Sequence, residues 1–171
     1  MTDWLPEFVE FDGNWNAFDD YVERVYAVFV ADFVSRRPPE VNGTRISLRR
    51  HPEFQGKSFT FWHLVTEGNV EENRTPDVER CRRIGWPRPI LERVADRQVL
   101  RVWKNRRGSD PRILIALPDF DYVIVLQERT DKQEQRKYCL LLTAYPVELE
   151  HRRRKLREEY EAWVKVHPTK S

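Results

Sequence analysis

Ile113-Leu114-Ile115-Ala116-Leu117, Tyr122-Val123-Ile124-Val125-Leu126-Gln127 and Tyr138-Cys139-Leu140-Leu141-Leu142-Thr143 are apolar runs of strand length, and Val99 to Lys104 precedes them as a fourth. Short polar connectors separate the runs: Asn105 to Pro111, Pro118-Asp119-Phe120-Asp121, and the charged loop Glu128 to Lys137. Connections this short join antiparallel neighbours, because a parallel pair needs a crossover of about a dozen residues or more. The expectation is an α+β fold built on a four- or five-stranded, mainly antiparallel meander. The two central runs are apolar at successive positions, so both faces of the sheet must be covered, by helices or by the N-terminal segment.

Working outward, Asn14 to Arg37 carries Trp15, Phe18, Tyr21, Val22, Val25, Tyr26, Phe29, Val30 and Phe33 at the three-and-four spacing of an amphipathic helix. Asn14 or Asn16 caps its start, and Pro38-Pro39 stops it. Residues 1–13 form an irregular lead-in, anchored by Trp4, Phe8 and Phe11. Asn42-Gly43 signals a turn, and Arg45-Ile46-Ser47-Leu48-Arg49 alternates as a half-buried strand would. Ser58 to Gly68 is short and apolar, and its period decides between neither strand nor helix. Thr75-Pro76-Asp77 reads as a capped start to a helix running to about Ile84. Gly85 and Pro87-Arg88-Pro89 break that helix, and Ile90 to Val94 adds a further turn or two. Val147 to Lys165 puts Leu149, Leu156, Tyr160 and Trp163 on one stripe of a docked terminal helix, leaving 166–171 as a flexible tail.

A chain of 171 residues suits one domain with a single core, and 1–171 is read as one. With 34% charged and 40% hydrophobic residues it belongs with folded proteins of heavily charged surface. The formal net charge is only +2, so any nucleic-acid reading has to rest on local clusters of Arg and Lys. Cys81 and Cys139 lack a partner spacing, which suits buried free thiols in a reducing compartment. No run approaches the ~18 apolar residues of a membrane span, and Met1 to Glu7 has no apolar leader core. A cytoplasmic protein without membrane partners is the expectation.

His51, His63, His151 and His167 show no metal-ligand spacing, and there is no phosphate-binding glycine loop and no G-x-S-x-G. Neither metal nor cofactor is expected. His63 stands inside Phe61-Trp62-His63-Leu64-Val65, where it is either a satisfied structural histidine or one that faces a cleft. Glu67 can orient it if the segment is helical. Thr143 and Tyr145 are two apart, so a regular strand puts them on one face with Cys139 and Leu141. They serve either as strand-end hydrogen bonds or as part of a site. Arg80, Arg82, Arg83 and Arg88 precede the sheet, and Arg101, Lys104, Arg106 and Arg107 lie on its first strand and turn. Such cations are either solvated charges or phosphate ligands. A histidine, cations and hydroxyls without a metal site are what metal-free RNA cleavage requires: the 2′-hydroxyl attacks the adjacent phosphate, assisted by a base, an acid and cations.

The order of helix, His-bearing segment, helices and meander, together with Trp86-Pro87-Arg88-Pro89-Ile90, Asp121 to Leu126 and Leu141-Leu142-Thr143-Ala144-Tyr145-Pro146, resembles phage-associated members of the barnase, EndoU, colicin and RelE-like nuclease superfamily. The likeness spans about Phe54 to Tyr160. It implies a metal-independent endoribonuclease of toxin or phage-effector type, with RNA as substrate and a cognate inhibitor or antitoxin protein as partner. On that likeness the catalytic candidates are His63 as acid or base, Glu67 as the second such group, and Thr143 with Tyr145 to position the phosphate. The substrate-binding candidates are Arg83, Arg101, Lys104 and Arg106. The competing reading is a non-catalytic RNA- or protein-binding accessory protein on the same fold.

Overall fold

The computed structural model describes residues 2–168. After a 3-10 turn at Trp15–Ala17 comes α1 (Phe18–Phe33), whose Tyr21, Val22, Val25, Phe29 and Phe33 are buried at helical spacing. The short β1 (Ile46–Ser47) follows, then α2 (Phe59–Val65), β2 (Thr66–Glu67), β3 (Thr75–Pro76), α3 (Val78–Arg82) and α4 (Pro87–Glu92). The sheet strands β4 (Arg101–Arg107), β5 (Asp110–Ala116), β6 (Tyr122–Thr130) and β7 (Lys137–Pro146) complete the fold with α5 (Glu150–Val166).

The α+β class and the antiparallel meander β4 to β7 are as expected, but the five-stranded sheet runs β1-β7-β6-β5-β4 and β1 pairs with β7 in parallel. The sheet is therefore mixed. The long excursion through α2, α3 and α4 permits this, since β1 is tied to the meander by no hairpin.

Both faces are covered. One carries Val102, Ile113, Ile115, Ile124, Leu126, Leu141 and Ala144 against α1, α2 and α4. The other carries Trp103, Leu114, Ala116 and Val123, with Leu156, Tyr160 and Trp163 of α5 packed on them. Trp103 is fully buried, and its indole N–H donates to Glu159 at 2.7 Å, so α5 is held by a directed bond as well as by apolar area.

Several local expectations are corrected. Ser58 Oγ accepts from Phe61 N and caps α2, so the ambiguous segment is helix over Phe59–Val65 and turns to strand at Thr66–Glu67. Thr75 and Pro76 do not start a helix but pair with Glu67 and Thr66, and Asp77 is the cap of α3, accepting from Glu79 and Arg80 N–H. The expected break between the two helices is present, α3 ending at Arg82, but Pro87 and Pro89 belong to the second helix and not to the gap before it. They occupy the first turn of α4, where no N–H is needed.

The lead-in is pinned as expected: Trp86 Nε1 donates to Pro6 O, Val9 N to Arg82 O and Tyr21 Oη to Val9 O. Helix α5 continues to Val166, and of the expected tail 169–171 lies outside the described residues.

A bulge in β7 changes the expected face of the hydroxyl residues. Leu126 pairs with Leu141 and Val125 with Thr143, leaving Leu142 as an extra residue. Cys139 and Leu141 consequently stay in the core beneath α1 and α2, while Thr143 and Tyr145 are switched to the rows of Trp103 and Arg101 on the α5 face.

Candidate functional site

The last turn of α2 leaves carbonyls that the helical bonds do not saturate, and hydroxyl and guanidinium side chains complete them. Thr66 Oγ1 donates to Trp62 O, and Thr143 Oγ1 donates to His63 O at 2.9 Å. Thr66 O accepts from Arg74 Nη2 at 2.7 Å and from Arg80 Nη1 at 2.8 Å. Cations at the negative end of a helix are electrostatically favoured, which fixes Arg80 beside β7.

Arg80 is the hub of the arrangement. Its Nη1 lies 3.5 Å from Thr143 Oγ1, its Nε lies 3.6 Å from Asp77 Oδ2, and its guanidinium sits 5.1 Å from the Tyr145 ring centroid. A guanidinium carries five N–H donors, so its outer edge keeps capacity for an anion. Burial pushes the Tyr145 phenol above its ordinary range, and Arg80, Arg152 and Arg112 pull the other way. The phenol is thus a neutral donor at physiological pH, in a field of three arginines.

Thr143 and Tyr145 both lie beside Arg80, but the imidazole of His63 does not join them. It stacks on Phe59 at 4.1 Å, and its Nε2 meets Glu71 at 3.0 and 3.1 Å. Burial lowers its pKa, the bond to Glu71 opposes this, and Arg74 adds to the lowering, so the ring is neutral at pH 7. Glu67 does not orient it either: α2 ends at Val65, and Glu67 lies exposed on β2. Glu71 takes that place because Gly68, at φ +136, turns the chain back. A side chain there is strained, and its Cβ would meet Arg74 Cα at 3.3 Å.

The expected phosphate ligands are dispersed. Arg83 binds Glu79 at 2.7 Å and lies over Phe8 and Trp86. It also holds the Glu79 carboxyl below its usual range. Lys104 pairs with Glu128 at 2.9 Å in the row of Ile113 and Leu126, on the face opposite Tyr145, and Arg106 binds Ser109 O on that same side. Arg101 does share the row of Tyr145, but three strand spacings of about 4.8 Å separate them. Its Nη1 donates to Arg97 O and Leu100 O.

Arg80 stood out in the sequence only as one basic residue among several, and Arg74, Arg112, Arg152 and Glu71 not at all. Glu71 and Arg74 are placed by the β2–β3 turn, and Tyr145 is brought to the side of Arg112 and Arg152 by the β7 bulge; neither device has a periodic signature.

Among the described residues no group of three His, Cys, Asp or Glu is placed to hold a metal ion, and no helix is long and apolar enough to cross a membrane. Comparison with protein-family models, curated proteins and solved structures gives no significant match.

Proposed function

We propose that the chain is a metal-independent endoribonuclease of toxin or phage-effector type, with its reaction centre at Arg80, Thr143 and Tyr145. The observation behind this reading is that one guanidinium meets the Thr143 hydroxyl and lies over the Tyr145 ring, with Arg112 and Arg152 adding positive potential. A phosphodiester seated on the outer edge of Arg80 has its developing charge stabilised by that cation. The 2′-hydroxyl attacks phosphorus, forming the O2′–P bond and breaking P–O5′. Tyr145 gives its proton to the departing O5′, and water takes the 2′-hydroxyl proton, because the imidazole of His63 is held by Glu71. The products are a 2′,3′-cyclic phosphate and a free 5′-hydroxyl. The carboxylate in the cluster, Asp77, is engaged by Arg80 Nε and by the first N–H groups of α3 and takes no part as a base, so turnover is slow.

The test is to incubate purified protein with bulk cellular RNA in chelator and to analyse the ends formed. The expected result is cyclic-phosphate termini with wild type and strongly reduced cleavage with Tyr145→Phe and Arg80→Gln. Intact RNA at high protein excess rejects the reading, and cleavage that survives in both variants rejects the assigned roles. A second reading, RNA binding without cleavage, is favoured by the same engagement of His63 with Glu71. It predicts intact RNA that is retained in a salt-sensitive complex.

A further inference from the structure

A cavity of about 550 Å³ opens between the start of α1, the 52–55 turn, α2 and the 71–76 segment, and neither the Arg80 cluster nor the proposed cleavage uses it. Its walls are aromatic, from Phe18, Phe54, Phe59 and Trp62, and its charged lining is mainly acidic, from Asp19, Glu53, Glu71 and Glu72.

The charges do not cancel. Arg74 is the one cation of the lining, and its Nε, Nη1 and Nη2 are all directed to Thr66 and Gly68 oxygens. Glu53 is paired with Arg50 at 2.6 Å, whereas Glu71 faces a histidine that burial keeps neutral at pH 7. Asp19 and Glu72 are exposed on the rim. Arg49 adds a second cation beside the lining, 4.1 Å over the Phe59 ring, and against these two arginines the three carboxylates Asp19, Glu71 and Glu72 leave a negative surplus, which repels a nucleic-acid backbone and attracts a cation.

The wall is also formed in advance. The Phe54–Lys57 turn is closed by two main-chain bonds of 3.0 Å, and the buried Lys57 ammonium binds Glu23 above the Tyr26 ring. Trp62 Nε1 donates to Phe54 O at 2.8 Å, fixing one aromatic wall to the turn. At the cavity mouth Phe54 is 62% exposed, and Trp15, tilted against Phe18, is 67% exposed. Exposed aromatics around an opening are the composition of a protein interface, with the cavity as its anchor pocket.

We propose that this cavity is the docking site of a protein partner that inserts an arginine side chain. Phe18, Phe54 and Trp62 supply the aromatic surface for the planar guanidinium, Phe59 already carrying Arg49 and the His63 ring, and carboxylates at the rim accept its fork of donors, a combination that an ammonium satisfies less well. The cavity adjoins the Arg80 cluster at Thr66, but none of Arg80, Thr143 and Tyr145 lines it, and the proposal does not rest on the ribonuclease reading.

The test titrates the full chain with the capped peptide acetyl-Gly-Arg-Leu-Gly-amide and with its citrulline counterpart, which keeps the shape and removes the charge, reading two-dimensional NMR shifts. Shifts centred on Phe54, Phe59 and the Trp62 indole are expected, with the citrulline peptide at least about tenfold weaker. The double variant Asp19→Asn/Glu72→Gln changes two exposed rim residues. It should weaken the arginine peptide by several-fold while leaving RNA cleavage at the wild-type level. Equal binding of the two peptides, shifts elsewhere on the surface, unchanged affinity in the double variant, or tighter binding of guanosine monophosphate than of the arginine peptide would each overturn the proposal.

Discussion

The hydroxyl of Thr143 donates to the main-chain carbonyl of His63 at 2.9 Å, so β7 receives from His63 a peptide oxygen and not the imidazole. Thr143 therefore has a structural task, capping a last-turn carbonyl of α2, besides facing Arg80. Thr143→Val keeps the shape and strands that carbonyl in a part-buried site. Urea unfolding should show a loss of about 1 kcal/mol, rising toward ~3 if water cannot reach the orphaned oxygen. No loss in the midpoint would show that the bond is not a stabilising one.

The His63–Glu71 pair makes a different prediction, read in pH. The folded pKa of His63 is lowered, chiefly by burial. The unfolded chain therefore takes up a proton near the ordinary histidine pKa of about 6.5 while the folded protein still resists it. Stability is fully present above that value and falls with pH between the unfolded and folded pKa values. Urea midpoints compared at pH 7.5 and pH 5 should fall more for wild type than for His63→Gln. An equal fall in both would assign the acid sensitivity to other groups.

Glu159 joins α5 to β4 by accepting from both Trp103 Nε1 and Asn105 Nδ2 at 2.7 Å. Removing the carboxylate leaves two donors without their charged acceptor, one of them on a fully buried tryptophan. Glu159→Ala should cost about 2–3 kcal/mol in urea unfolding. It should also speed hydrogen exchange along β4. Wild-type stability would show that apolar packing alone docks α5.

The sheet was legible because its information is local. Ile113 to Leu117 and Tyr122 to Gln127 state their burial on both faces residue by residue, and the covering helices α1 and α5 announce themselves by aromatic spacing. The site was legible only in part. Thr143 and Tyr145 stand out as polar residues ending an apolar strand, but their facing depends on the extra residue Leu142, and no alternation pattern predicts a bulge. The partner of His63 is set by a tertiary turn at Gly68 and not by helical spacing, which is why Glu71 replaces Glu67. Basic residues in the sequence look alike; what separates Arg80 from Lys104 is which element ends beside it.

The proposed cleavage has a pH signature that distinguishes Tyr145 from His63 as the acting group. A phenol raised above its ordinary range stays protonated through the neutral and mildly alkaline region, so the donor is never limiting there. The 2′-hydroxyl proton passes to solvent, and its loss becomes easier as hydroxide increases. The logarithm of the single-turnover rate should therefore rise with pH at a slope of about one between roughly pH 6 and 9, without the bell shape of an imidazole acid-base pair. Tyr145→Phe should lower the rate by about 10²- to 10⁴-fold at every pH in that range. Arg80→Lys keeps the charge, loses the fork, and should weaken both RNA binding and rate. His63→Gln should leave the slope unchanged. A bell-shaped profile that disappears in His63→Gln would instead return the imidazole to the reaction and reject Tyr145 as the sole proton donor.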